Sequence, residues 1–423
     1  MASYRILHCA DLHLDSPLRG LEADPDAPAD RIRGATRAAL VNLVELAISD
    51  GVAVVLIAGD LYDGDWMDWR TGQFLLEQLG QLTRRGIRVV AISGNHDAES
   101  VITRRLRWPD GARILSADRP ETVSFPELAL SVHGHSFRTR DVVDNLVPAY
   151  PPPVAGHLNV GLLHTALTGR PGHASYAPCT VEQLAAHGYD YWALGHVHER
   201  CEVSRDPWIV FPGNTQGRHV REPGAKGATM VTVHNGQIVS AEPRALDVVR
   251  WARITADLTG AADEDAAMSR IRGALAAALE AADGRLLAVR LVLEGACIAH
   301  AALARDIGAV REMARGEALA CGGADAIWLE KVVLATRPAL DLAAMRGRAD
   351  AVGLLVREIE TAALTGPADQ LRGYCAGLLE RAGGLRAALG EEHPAVLAAA
   401  SGTVPPELLA RARALLLARL AAD

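Results

Sequence analysis

The sequence predicts an α/β fold built on a largely parallel sheet, and three observations predict it. Apolar runs at residues 52–58 and 89–92 carry no polar alternation, so they read as strands buried on both faces. Segments of helical periodicity lie between them, which requires right-handed crossovers between parallel strands. Each run ends in side chains bearing oxygen or nitrogen donors: Gly59-Asp60-Leu61-Tyr62-Asp63 after the first, Gly94-Asn95-His96-Asp97 after the second. In open α/β sheets, ligands bind in the crevice outside the carboxyl ends of the strands.

Residues 4–10 form the first strand, with Asp11 and His13 at its exit. Pro, Asp and Gly make residues 16–29 a surface loop. A helix is expected over 31–49, where Leu40, Leu43, Val44, Ala47 and Ile48 recur at helical spacing. A second, over 68–85, carries Phe74, Leu75, Leu79 and Leu82 and ends at Gly86. Beyond Asp97 a helix is expected near 104–108, a strand over 128–134 and a loop over 148–153. Strands follow at 158–163, with His164 at the exit, and at 189–194, with Gly195-His196-Val197-His198. Further strands are read at 208–211 and 228–233. Asn235-Gly236 marks a two-residue hairpin, because both positions tolerate positive φ. A smaller α+β unit is read from strands at 251–255, 286–293 and 327–335 and helices around 268–279 and 307–315. From Leu342 the chain reads as amphipathic helices broken at Gly366-Pro367, His393-Pro394 and Pro405-Pro406. The expected divisions are 1–244, 245–340 and 341–423.

A chain of 423 residues exceeds one typical core. With 49% hydrophobic and 22% charged residues it has the composition of a soluble globular protein. No apolar run reaches the ~18 residues of a membrane span, and the first residues lack the layout of a signal peptide. Six scattered cysteines without a C-x-x-C pair point to reduced thiols in a cytoplasm. The net charge of −8 counts against a free-standing nucleic-acid binder, since phosphate neutralisation needs clustered Lys and Arg.

Taken singly, each exit motif has a plain structural explanation as a turn, a helix cap or a satisfied core histidine. Jointly they place ligand-type residues at five exits of one sheet edge. That count suffices for two divalent ions: Asp11, His13, Asp60 and His198 for one, and Asp60, Asn95, His164 and His196 for the other, with Asp60 shared. Two ions held ~3.5–4 Å apart activate water and neutralise phosphate charge. A mixed oxygen and nitrogen set without thiolate suits manganese, the preferred assignment, or iron, zinc or magnesium. His96 exceeds the ligand count and is the candidate proton donor, with Asp97 as the group that orients its ring. Arg104, Arg105, Arg107, Arg218, His219 and Arg221 are the basic residues nearest these motifs. Of these, Arg218, His219 and Arg221 are the candidate substrate contacts. Aromatics at 4% favour backbone contacts over base stacking.

The set D-x-H, G-D-x-x-D, G-N-H-D, strand-end His and G-H-x-H resembles the calcineurin-like metallophosphoesterase superfamily. The opening residues 6–14 and Ala193-Leu194-Gly195-His196-Val197-His198 look like its bacterial DNA repair exonuclease branch. The run from Phe211-Pro212-Gly213-Asn214 to Glu222 looks like YhaO-type members, relatives of SbcD. The resemblance implies an αββα four-layer sandwich, a small α+β capping domain and a helical C-terminus that docks a partner. It implies the same metal ligands, and a phosphate-contacting, proton-donating His96. Some repair nucleases of this family carry a histidine where Asp63 stands, so Asp63 is read as a hydrogen-bond partner of a metal-bound histidine. The implied function is a two-metal phosphodiesterase acting on DNA, an exonuclease of double-strand-break repair working with an SMC-like coiled-coil ATPase of the SbcC or YhaN kind. A homodimer is a further expected partner, and a membrane is not. Two alternatives stand beside it: a phosphoesterase for nucleotides or other small phosphoesters, and a nuclease-fold subunit that mainly docks and regulates an ATPase.

Overall fold

The computed structural model describes residues 3–16, 27–63, 69–98, 106–168, 176–339, 342–350, 353–354 and 356–357. The chain divides into two compact units: residues 1–253, 277–290 and 322–330 form the first, and 254–276, 291–321 and 331–423 the second. Everything the candidate site needs lies in the first.

That unit holds two six-stranded sheets. The first is built from β1 (Tyr4–Cys9), β2 (Val54–Ala58), β3 (Arg88–Ile92), β4 (Ala112–Ile114), β11 (Gly227–His234) and β12 (Gln237–Ala245), in the order β12-β11-β1-β2-β3-β4. The second uses β5 (Glu121–Phe125), β6 (Leu130–Gly134), β7 (Leu158–His164), β8 (Tyr191–Gly195), β9 (Cys201–Arg205) and β10 (Trp208–Phe211), in the order β5-β6-β7-β8-β10-β9. Both are mixed. The central pairs are parallel, while β11 and β12 at one edge, β5 and β9 at the others, run antiparallel. The expectation of a single, largely parallel sheet therefore holds only for the centre of each.

The unbroken apolar runs now have their reason. In β2, Val54 and Leu56 face the second sheet and pack with Val132, Val160, Leu162 and Tyr191. Val55 and Ile57 face the other way, onto α2 (Ala35–Ser49) and α3 (Trp69–Arg84), where Leu40, Leu43, Leu75 and Leu79 meet them. The outer face of the second sheet is covered likewise: Leu184 of α4 (Val181–Ala186) packs with Leu163, Trp192 and Phe211. Four layers, helix, sheet, sheet, helix, result. Each buried Leu, Ile or Val contributes about 1.5–3 kcal/mol, so the strands have apolar partners on both faces.

Several elements differ from the sequence reading. The helix expected over 31–49 breaks at Gly34 into α1 (Ala29–Arg33) and α2. Strands β4, β5 and β9 were not legible, because they are short edge strands with partly exposed side chains. Helix α4, opened by a Thr180–Gln183 capping box, was also missed. Residues 106–109 form no regular element, and the rest of the helix expected at 104–108 lies outside the described residues. The Asn235-Gly236 hairpin is present, with both residues at positive φ and His234 opposite Gln237.

A three-stranded sheet follows, β13 (Val249–Asp257), β14 (Leu286–Cys297) and β15 (Ile327–Pro338), in that order. Helix α5 (Glu264–Ala281) connects its first two strands, and α6 (His300–Arg305) and α7 (Ile307–Gly322) the last two. Of the expected helical C-terminus, α8 (Leu342–Gly347) is described. The apolar faces read from Leu371 to Leu420 lie outside the described residues. Among the described residues, no helix is long and apolar enough to cross a membrane.

Candidate metal centre

Five strand exits converge. The main chain continues the parallel β1–β2 pairing past the strand ends, with Asp11 N–H donating to Gly59 O and His13 N–H to Asp60 O. Holding these side chains at one point forces unusual backbone: Asp11, His13, Asp60 and His196 all have positive φ, at 52°, 43°, 54° and 96°. Such conformations persist in non-glycine residues only where the surroundings over-determine them, and they cluster at functional sites. The glycines of the motifs serve close approach. A Cβ on Gly94 would lie 2.3 Å from Asp60 Oδ1, and one on Gly195 would lie 1.9 Å from Ala58 O.

The donor atoms fall into two sets that share one oxygen. Asp60 Oδ2 is 3.7 Å from His13 Nε2 and 3.5 Å from His164 Nε2. On the first side, His13 Nε2 faces His198 Nε2 at 3.1 Å, and His198 Nε2 is 3.9 Å from Asp11 Oδ1. On the second, Asn95 Oδ1 lies 2.9 Å from His164 Nε2 and 3.3 Å from His196 Nδ1. Ligand bonds of about 2.0–2.2 Å set donor atoms about 3–3.5 Å apart around one ion, so this spacing fits a divalent cation in each set. Within each of the triads Asp11–His13–His198, Asp60–His164–His196 and His13–Asp60–His96, the donor atoms lie within 4.8 Å of one another.

The surroundings orient these donors. His164 Nδ1 donates to Ala58 O at 2.9 Å, which turns Nε2 inward. His96 N–H donates to Asp60 Oδ1 at 3.0 Å, leaving Oδ2 for the imidazoles. His196 N–H donates to both oxygens of Asp11. Burial pushes the Asp11 carboxyl up to about 6, against the nearby imidazoles of His198 and His164. Burial would also raise Asp60, but the imidazoles of His164 and His13 outweigh it and hold the carboxylate far below its usual range. The reciprocal effect raises His164 to about 9 despite its burial, because Asp60 faces it. Burial lowers His13 to about 3, which keeps its ring neutral. Ionised Asp60 and neutral His13 are the forms that bind a cation.

His96 stands beside this cluster, its side chain 38% exposed, with Nδ1 2.8 Å from Asp63 Oδ1. That hydrogen bond raises the imidazole's pKa. The reading of Asp97 as the group that orients His96 is thereby corrected. Asp97 accepts backbone N–H bonds from Leu61, Tyr62 and Gly94 and ties the two ligand loops together, because its carboxylate turns inward beneath them. Asp63, expected to serve a metal-bound histidine, pairs most closely with His96 and lies 3.7 Å from His13 Nδ1.

Arg218 is committed to carboxylates. Its Nη1 is 3.6 Å from Asp63 Oδ2 and its Nη2 3.1 Å from Glu222 Oε1, with 15% of the side chain exposed. His219 Nε2 lies 3.8 Å from the same glutamate oxygen, and Arg221 and Arg107 are exposed. Arg104 and Arg105 lie outside the described residues. The sequence reading missed Glu222 and Asn214 as contributors. Both are buried, and Glu222 accepts from His198 Nδ1 at 2.7 Å. The only signal was their place in the run from Phe211 to Glu222.

Comparison with known proteins agrees with this geometry. Residues 4–200 match the calcineurin-like phosphoesterase family, and residues 251–337 the middle domain of metallophosphoesterase YhaO. The chain is similar to the uncharacterized metallophosphoesterase YhaO of Bacillus subtilis, 36% identical over 293 residues, covering 68% of this chain and 71% of that protein. It is more distantly similar to the DNA double-strand break repair protein Mre11 of Methanopyrus kandleri, 26% identical over 59% of this chain and 58% of that one. Among solved structures, a dimetal phosphatase from Danio rerio aligns with 57% of this chain and 96% of its own at 14% identity, with a TM-score of 0.37. A shared catalytic-domain match, the YhaO middle domain and the extent of the B. subtilis similarity decide the assignment: the chain belongs to the YhaO family of calcineurin-like metallophosphoesterases.

Proposed function

We propose that the chain is a two-metal phosphodiesterase acting on DNA, an exonuclease of double-strand-break repair that works with a coiled-coil ATPase. The observation that carries the phosphodiester chemistry is Asp60 Oδ2 standing between two sets of donors, with His96 beside them. Asp11, His13, Asp60 and His198 would hold one divalent ion, and Asp60, Asn95, His164 and His196 the other. Manganese is the first candidate. Such ions activate water and neutralise phosphate charge.

The protein's own residues supply the rest. Hydrolysis adds water to phosphorus and breaks the bond to the leaving sugar oxygen, which needs a proton. His96 can give it from Nε2, because Nδ1 is turned to Asp63 and the raised pKa keeps the ring protonated further toward neutral pH. His219 and Arg221, at the edge of the cluster, are the candidate contacts for backbone phosphates, with Arg218 behind them. The DNA substrate is supported by the similarity to a protein named for double-strand break repair. The ATPase partner is assigned to the region 341–423.

Manganese-dependent digestion of end-labelled DNA, run beside a simple phosphodiester and a phosphomonoester, tests this reading. Progressive shortening from DNA ends is the expected result. Turnover of the small esters alone would identify a phosphoesterase of small substrates. A stable ATPase complex with no turnover in any metal would identify a docking subunit.

A further inference from the structure

Glu222 is the buried carboxylate that no exit motif contains. It is 7% exposed, and both its oxygens are fully engaged. Oε1 accepts from His198 Nδ1 at 2.7 Å and Arg218 Nη2 at 3.1 Å. Oε2 accepts from Asn214 Nδ2 at 2.9 Å and from the Arg218 backbone N–H at 2.8 Å. An ionised carboxylate so placed can only accept, so it demands the proton on Nδ1 of His198. The Nε2 lone pair is then left to face His13 Nε2 at 3.1 Å and Asp11 Oδ1 at 3.9 Å. Without Glu222, the ring would be free to take the other tautomer or to rotate, since its side chain is 24% exposed.

The loop that carries Glu222 is itself fixed. Gln216 donates to Gly217 O and Val249 O and accepts from the Val248 and Val249 N–H groups. Trp251 Nε1 donates to Gly217 O at 3.0 Å. Lys226 Nζ donates to His198 O at 2.6 Å and holds the other end of the contact. A buried anion gripped by four donors on an anchored loop is a built feature, beyond what a surface ion pair with Arg218 would need.

We propose that Glu222 is a positioning residue of the metal centre, which holds His198 with Nδ1 protonated and Nε2 free to bind an ion. The proposal rests on the metal-centre reading above. Carboxylates that orient a ligand histidine in this way typically affect metal affinity by roughly 10–100-fold. The chain also joins the rim together, because the guanidinium of Arg218 spans from Glu222 to Asp63, the partner of His96.

Two measurements on the full chain test it. First, metal-stripped protein is titrated calorimetrically with manganese, as wild type, Glu222→Gln and Glu222→Ala. Glu222→Ala should weaken one of the two binding events by roughly 10–100-fold and spare the other. Glu222→Gln keeps an oxygen acceptor and should lose less. Wild-type affinity at both sites in both variants overturns the proposal, whatever their melting temperatures. Second, the nitrogen-15 spectrum of the metal-stripped wild type, at a pH of about 8 where free imidazoles are neutral, reads the His198 tautomer without any substitution. A proton on Nδ1 supports the assignment, and a proton on Nε2 overturns it even if Glu222→Ala fails to fold. Absence of manganese binding in the wild type would sink the metal-centre reading itself, while the tautomer would still be decided by the spectrum.

Discussion

On the floor of the centre, Asp11, His13, Asp60 and His164 are at most 1% exposed, and three of them are held by the backbone. Ala58 O takes the His164 proton, and the N–H groups of His96 and His196 secure Asp60 and Asp11. At the rim, His198 and His96 stand 24% and 38% exposed and are held by side chains, Glu222 and Asp63. The difference separates two tasks. Backbone-held, desolvated donors have fixed charges and fixed positions, which suits ion binding. Side-chain-held groups at a water-facing edge keep a proton that can leave, which suits acid catalysis.

If this division is right, substitutions should separate the tasks, and the largest effect belongs to the floor. Asp60→Asn keeps the shape but removes the charge shared by both donor sets. Manganese content of the purified variant should fall at both sites, with turnover down by at least about 10³-fold, or ~4 kcal/mol. Retention of one tightly bound equivalent would show that the shared ligand is another residue. At the rim, His96→Ala should keep both ions while turnover drops by ~10²–10⁴-fold. Loss of an equivalent, measured by elemental analysis, would move His96 to the floor.

Asp63→Asn should cost less, roughly 10–100-fold, and leave a signature in the pH profile. The Asp63 hydrogen bond raises the His96 pKa, and an acid must be protonated to act. Activity therefore falls as pH rises through that pKa, and the weakened bond should move the alkaline limb of kcat to lower pH. An unmoved limb would remove His96 from the role of acid. The smallest loss of turnover is expected for Asp97→Ala. It leaves the N–H groups of Leu61, Tyr62 and Gly94 without their acceptor, which should destabilise the fold by about 1–3 kcal/mol. A thermal melt unchanged from wild type would show that these bonds do not secure the ligand loops.

The floor was readable because its residues follow apolar runs whose strand character is unmistakable: Asp60 after β2, Asn95 after β3, His164 at the end of β7 and His196 after β8. Parallel strands with their carboxyl ends aligned must bring such positions together. The rim was not readable, since its partners come from loops without periodicity. Asp63 and Asp97 sit one on each side of His96 in its chemistry, and only coordinates tell which carboxylate turns toward the ring. Glu222 meets His198 across 24 residues that include two strands and a turn. The same holds for the fold. β4, β5 and β9 escaped because edge strands need not bury both faces, and α2 was overextended because Gly34 interrupts a pattern that helical spacing alone continues.

The left-handed backbone at Asp11, His13, Asp60 and His196 bears on how this protein would respond to artificial selection. Each such position costs of order 1–3 kcal/mol relative to a relaxed residue, and glycine would relieve it. Variants screened for heat resistance alone should therefore accumulate glycine at these four positions, gaining stability while erasing the donors. Laboratory evolution for a hardier enzyme would have to score turnover and survival together, or it would end with a sturdy scaffold that binds nothing.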